Sequence, residues 1–105
     1  MTSIDKSARK EKLKAWRDGE NAKARLLYPL PDSQLEQFFA LLEERRAEVG
    51  CFHDFRHSTK VFDLMGLSSD EADALLDWCH EHGGFCDCEI AANTFMHWHR
   101  TRPRA

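Results

Sequence analysis

No stretch of this 105-residue chain stays apolar for more than a few residues, so nothing in it is built to cross a membrane. The first residues, Met1-Thr2-Ser3-Ile4-Asp5-Lys6, lack the apolar core of a secretory leader. These two absences point to a cytoplasmic protein. In that compartment paired cysteines serve more often as metal ligands or reactive thiols than as disulfides. Internal repeats and low-complexity tracts are absent as well. What remains, 42% hydrophobic and 31% charged, has the composition of a folded domain with one small core, a size that gains from a metal or a partner.

Charge is unevenly spread. Residues 1–25 carry eight Lys/Arg against four Asp/Glu, residues 26–99 carry four against fourteen, and Arg100, Arg102 and Arg104 close the chain. The expected organisation is a basic helical arm over 1–28, a single globular domain over 29–99 and a disordered basic tail over 100–105. The arms could meet nucleic acid, but folding back on the acidic body or simple solvation is the favoured reading, because no basic surface interleaved with aromatics is evident.

Helices follow from spacing and punctuation. Asp5–Leu27 has no proline and one interior glycine, Gly19, and its sparse stripe of Ile4, Leu13, Trp16 and Leu27 predicts a helix packed through Trp16 or only loosely held. Tyr28-Pro29-Leu30-Pro31 breaks it. Ser33-Gln34-Leu35-Glu36 has the form of a capping box, and Leu35, Phe38, Phe39 and Leu42 fall on one face of the helix that follows, which stops at Gly50. A third helix runs from Asp54 or Phe55 to Met65, buries Phe55, Phe62 and Met65, and ends at Gly66 with Leu67 as its hydrophobic contact. Ser68-Ser69-Asp70-Glu71 opens a fourth, whose stripe of Ala72, Leu75, Leu76 and Cys79 makes Cys79 a small core residue. Trp78 lies off that stripe and could cover the sulfur loops or be an ordinary half-buried aromatic. Beyond Gly83-Gly84 the chain should be extended from Phe85 to Ile90, with a helical turn or two at Ala91–Trp98.

Two loops carry the chemistry. Gly50-Cys51-Phe52-His53 follows one helix end, and Gly83-Gly84-Phe85-Cys86-Asp87-Cys88-Glu89 follows another. Residues i and i+2 of an extended segment point the same way, so each pair can face one point, and the preceding glycines ease the tight curl this needs. Cys51, His53, Cys86 and Cys88 would give zinc three thiolates and one imidazole. Arg56 could pair with Asp87 or Glu89 beside that set, or be simply solvated. His80 or His82 could replace His53, although His80, His82, His97 and His99 read as surface residues. The rival reading is a dithiol of Cys86 and Cys88, or a thiol nucleophile activated by His53 or His57. Asp87 and Glu89 disfavour the thiolate it needs, and no Lys or Arg follows nearby. Buried thiols without any ligand are the remaining alternative.

Gly50-Cys51-Phe52-His53-Asp54-Phe55-Arg56, Leu76-Asp77-Trp78-Cys79 and Gly83-Gly84-Phe85-Cys86-Asp87-Cys88-Glu89-Ile90-Ala91-Ala92-Asn93 together resemble an uncharacterised bacterial family, domain of unknown function 2695. The similarity spans about Leu30 to Phe95. It implies a small, mostly helical cytosolic domain and supplies no activity or partner. Cys79 and His57 depart from the family pattern, which leaves Cys51, His53, Arg56, Cys86, Cys88 and Glu89 as the residues of interest. The expectation is a mainly α fold: about three core helices, a basic N-terminal helix and a short extended Cys-x-Cys segment. Its expected role is that of a non-catalytic binding or adaptor module with a structural zinc and a protein partner.

Overall fold

The computed structural model describes residues 2–103, with side chains from residue 8 onward, and every regular element among the described residues is helical. The order is α1 (Thr2–Leu26), α2 (Asp32–Val49), α3 (Arg56–Met65), α4 (Ser69–Glu81), α5 (Asp87–Glu89), a π-helical stretch at Ile90–Thr94, and α6 (Phe95–Thr101). The last three join without a break into one rod. The mainly α class expected from the sequence is what the chain adopts.

Leu35, Phe38, Phe39 and Leu42 are buried, as their helical spacing predicts. The start of α2 differs from expectation. Pro31 turns the chain into the helix, its carbonyl accepting the Gln34 and Leu35 N–H groups at 3.0 and 3.1 Å. Ser33 is thus already inside the first turn, and no side chain caps this helix. At α4 the box does form: Ser68 Oγ accepts the Glu71 N–H at 3.1 Å and the Glu71 carboxylate accepts the Ser68 N–H at 2.9 Å. The Ser68 N–H, and after it the Ser68 hydroxyl, hold the Glu71 carboxyl below the ordinary carboxylate range. Gly66 ends α3 in the left-handed conformation (φ 68°), and Leu67, whose N–H bonds to the Phe62 carbonyl, packs on the core.

The core is aromatic and centred on Phe39, whose ring lies 5.1 Å from Trp98, 5.5 Å from Phe95 and 6.3 Å from Trp78. Trp78 is buried here against Tyr28, His82 and His97 rather than over the sulfur loops, which corrects the expectation for it. Cys79 is fully buried, and burial pushes its thiol up to about 12, so it behaves as the predicted small core residue. In α3 the fully buried positions are Val61 and Ser58, with His57 nearly so, alongside the expected Phe62.

The N-terminal segment is the expected helix, with its apolar stripe left exposed. Trp16 is 64% exposed, so α1 does not pack through it. The helix is held at its other end, where Arg25 Nη1 donates to the Thr101 carbonyl at 2.7 Å. The side chain of Ile4 lies outside the described residues. At the C-terminus, Arg100 and Thr101 continue α6, and Arg102 pairs with Asp32 at 3.1 Å while lying 4.2 Å over the Trp98 ring. Asp32 also accepts the Trp98 indole N–H at 2.8 Å, and Tyr28 shares a 2.6 Å hydrogen bond with Thr101. These contacts make residues 28 and 101–102 part of the body and not of flanking arms; Arg104 and Ala105 lie outside the described residues.

His82 and His97 stack face to face with centroids 3.6 Å apart, each half-buried against Trp78. Burial, and for His97 the neighbouring His82 and Arg100, keep both imidazoles neutral, His97 down to about 4 and His82 in the same direction. An unfolded histidine protonates near 6.5, so between there and about 4 the unfolded chain binds more protons, and stability falls as pH falls through that window. The unfolding midpoint should therefore drop between pH 7.5 and pH 5, and His97→Phe should shrink that drop; an unchanged drop in the variant would assign the acid sensitivity elsewhere.

Candidate functional site

The first turn of α3 has no capping residue of its own: Phe55 stands in the cap position and offers no side-chain acceptor. Three N–H groups of that turn need partners. Asp54 Oδ1 accepts the first, from Arg56, at 3.1 Å. The other two come from a residue about thirty positions downstream. Asp87 Oδ2 accepts the His57 N–H at 2.9 Å, and Asp87 Oδ1 accepts the Ser58 N–H at 3.0 Å and the Ser58 hydroxyl at 2.5 Å. The Thr59 N–H then reaches the Phe55 carbonyl at 2.8 Å and the helical ladder begins. Asp87 is fully buried, and both its carboxyl oxygens are satisfied by these donors at the start of α3. Its own N–H returns a 2.8 Å bond to the Asp54 carbonyl. One residue thereby pins the Cys-Asp-Cys segment to the loop after α2.

Glycines shape both approaches. Gly50 ends α2 at φ 90°, and the Nε2–H of the buried His57 donates to the Gly50 carbonyl at 2.6 Å, tying the α2 terminus to α3. His53 adopts φ 59°, the one left-handed non-glycine among the described residues, which curls the loop back on itself. On the other side Gly83 turns the chain at φ 80°, and its carbonyl accepts the Asn93 amide at 3.0 Å. Gly84 is buried where an added Cβ would meet Thr94 Oγ1 at 2.6 Å and Ile90 Cγ1 at 2.7 Å, so no larger residue fits without displacing the rod.

With the loops so held, the ligating atoms of Cys51, His53 and Cys86 all lie within 4.8 Å of one another. A tetrahedral zinc with bonds of roughly 2.0–2.3 Å would bring such atoms to about 3.5 Å, so these three could hold a metal after a closure of about 1 Å. Cys88 stands outside that trio, and its sulfur is bonded to that of Cys51 in a disulfide, with Cα atoms 6.0 Å apart. Cys86 remains a free thiol, buried, and donates to the Glu89 carboxylate at 3.7 Å. His53 is exposed and Cys51 and Cys88 are partly so.

Several expectations change here. The Cys-x-Cys segment is extended only at Cys86; Asp87 and Cys88 already belong to the first turn of α5. Arg56 pairs with Asp54 at 2.8 Å and lies 3.9 Å over the Phe52 ring, rather than reaching Asp87 or Glu89, and it holds the Asp54 carboxyl below its usual range. His80 stacks on Phe85 and His82 on His97, so neither substitutes for His53 among the clustered groups. Cys88 pairs with Cys51 and not with Cys86, which stays a free thiol, unlike the rival reading of a Cys86/Cys88 dithiol. The capping role of Asp87 and the contributions of His57, Ser58 and Asn93 escape sequence reasoning; the one available signal is that α3 opens without a local cap.

The chain belongs to the family described as Protein of unknown function (DUF2695), which matches residues 38–93. It is 32% identical over 92 residues to Uncharacterized protein Rv2271 of Mycobacterium tuberculosis (strain ATCC 25618 / H37Rv), covering 88% of this chain and 90% of that protein. Uncharacterized protein Mb2294 of Mycobacterium bovis matches to the same extent. No solved structure matches. The matched span contains both sulfur loops and the Asp87 cap.

Replacing Asp87 by Asn presents an amide N–H₂ to the α3 donors and should cost about 2–3 kcal/mol. Gly84→Ala should cost about 2 kcal/mol through overpacking. Thermal unfolding should register each as a fall on the order of 10 °C; a midpoint unmoved by Asp87→Asn would show that the cap does not hold the two loops together.

Proposed function

We propose that this protein is a non-catalytic binding module of the cytoplasm whose two loops are clasped by a zinc ion on Cys51, His53, Cys86 and Cys88. The observation that carries the reading is the convergence of Cys51, His53 and Cys86 within 4.8 Å, with the Cys88 sulfur in contact with that of Cys51. Three thiolates and an imidazole are a donor set that zinc prefers over harder ions. Four protein ligands fill a tetrahedron and leave no position for water or substrate, which fits a structural ion and not a catalytic one. Glu89 orients the Cys86 sulfur from outside the set. Phe52 and Phe85, both exposed and each beside a ligand, flank the clasp as the apolar part of a surface for a protein partner.

Protein prepared under reducing conditions should carry about one zinc per chain by elemental analysis. Cys51→Ser and Cys86→Ser should lose most of it, whereas Cys79→Ala should retain it, since that thiol is buried in the core. Reduced protein that is fully folded, free of zinc and unaltered by added zinc would contradict the reading.

A further inference from the structure

Cys51 is committed twice. Its sulfur is bonded to that of Cys88, and the same sulfur stands within 4.8 Å of the His53 and Cys86 ligand atoms. A metal is held by a thiolate, and a sulfur in a disulfide has none to offer. We propose that zinc and the Cys51–Cys88 disulfide are alternative occupants of one site, so that an oxidant of the peroxide class releases the metal and a thiol reductant restores it. This rests on the zinc reading above and adds a function to it: redox-gated zinc release.

The arrangement assigns each thiol its part. Cys51 and Cys88 are partly exposed and their Cα separation suits a disulfide, whereas Cys86 is 5% exposed and hydrogen-bonded to Glu89. Once Cys51 and Cys88 are joined, only His53 and Cys86 remain, two ligands for an ion that requires four. The fold does not depend on which state is present. Asp87 ties the two loops through His57, Ser58 and Asp54 without using any sulfur, so the switch changes occupancy and not architecture.

The chemistry balances with hydrogen peroxide as oxidant. One thiolate attacks a peroxide oxygen, breaking the O–O bond, and becomes a sulfenic acid as hydroxide leaves. The second thiolate attacks that sulfur, forms the S–S bond and expels the sulfenic oxygen as a second hydroxide. Two protons convert the hydroxides to water; the two sulfurs lose two electrons, the peroxide gains them, and zinc departs as the dication.

The test uses the full chain, loaded with zinc under reduction, freed of excess reductant and treated with stoichiometric hydrogen peroxide. A chromogenic chelator reports released zinc while peptide mapping reports the disulfide. Release of about one zinc per chain, in step with the Cys51–Cys88 linkage and reversed by dithiothreitol plus zinc, is the expected result. Cys88→Ser should instead stop at a sulfenic acid on Cys51 that a dimedone probe traps, with helical content by circular dichroism confirming that the variant is folded. Zinc retained while Cys51–Cys88 forms, or release accompanied by a different disulfide, overturns the switch alone. Reduced protein that takes up no zinc overturns the zinc reading itself, and the switch with it.

Discussion

A single buried carboxylate decides where everything else in this protein can sit. Asp87 satisfies the His57 and Ser58 N–H groups at the start of α3 and sends its own N–H to the Asp54 carbonyl. A local cap would have served α3 equally well. By taking the cap from the start of the C-terminal rod, the chain ties the first turn of α3 to the segment that carries Cys86 and Cys88. Glycine supplies the complementary constraint: Gly84 lies against Thr94 and Ile90 of the rod at distances that exclude any side chain, and Gly50 and His53 curl the opposite loop.

This hydrogen-bonded clamp joins the two loops independently of the Cys51–Cys88 bond. The two flanking acids have separate tasks, since Asp87 faces α3 and Glu89 faces the Cys86 thiol. The aromatic core lies elsewhere, around Phe39, Trp78 and Trp98, and the half-buried histidine stack belongs to it. The clustered Cys and His groups therefore run from the exposed His53 to the buried Cys86 beside a polar clamp, apart from the aromatic core.

Local chemistry was legible in the sequence wherever local chemistry decides. The stripe from Leu35 to Leu42, the stops at Gly50 and Gly66, the Ser68–Glu71 box and the core placement of Cys79 are all fixed by contacts within one or two turns. Legibility failed where a distant partner wins. Ser33 lost its capping role because Pro31 starts α2 earlier, and Asp32 is instead engaged by Trp98 and Arg102 from the other end of the chain. Asp87 looked like a charge beside a thiol because its donors are encoded about thirty residues away. Trp78 packs with Tyr28 and Phe39, partners encoded about fifty and forty residues upstream, and not with the loops beside it in sequence. The two cysteine loops were recognisable from composition and glycine placement, but the pairing of Cys88 with Cys51 follows from the rod's helical start at Asp87, which no spacing rule encodes.

The proposed clasp makes a claim about the immediate neighbours of one ion, and X-ray absorption at the zinc edge reads those neighbours directly. Reduced, zinc-loaded protein should give three sulfur scatterers at about 2.3 Å and one nitrogen at about 2.0 Å, with the nitrogen shell altered in His53→Ala and one sulfur lost in Cys88→Ser. A first shell of oxygen and nitrogen alone, unchanged in those variants, would contradict it.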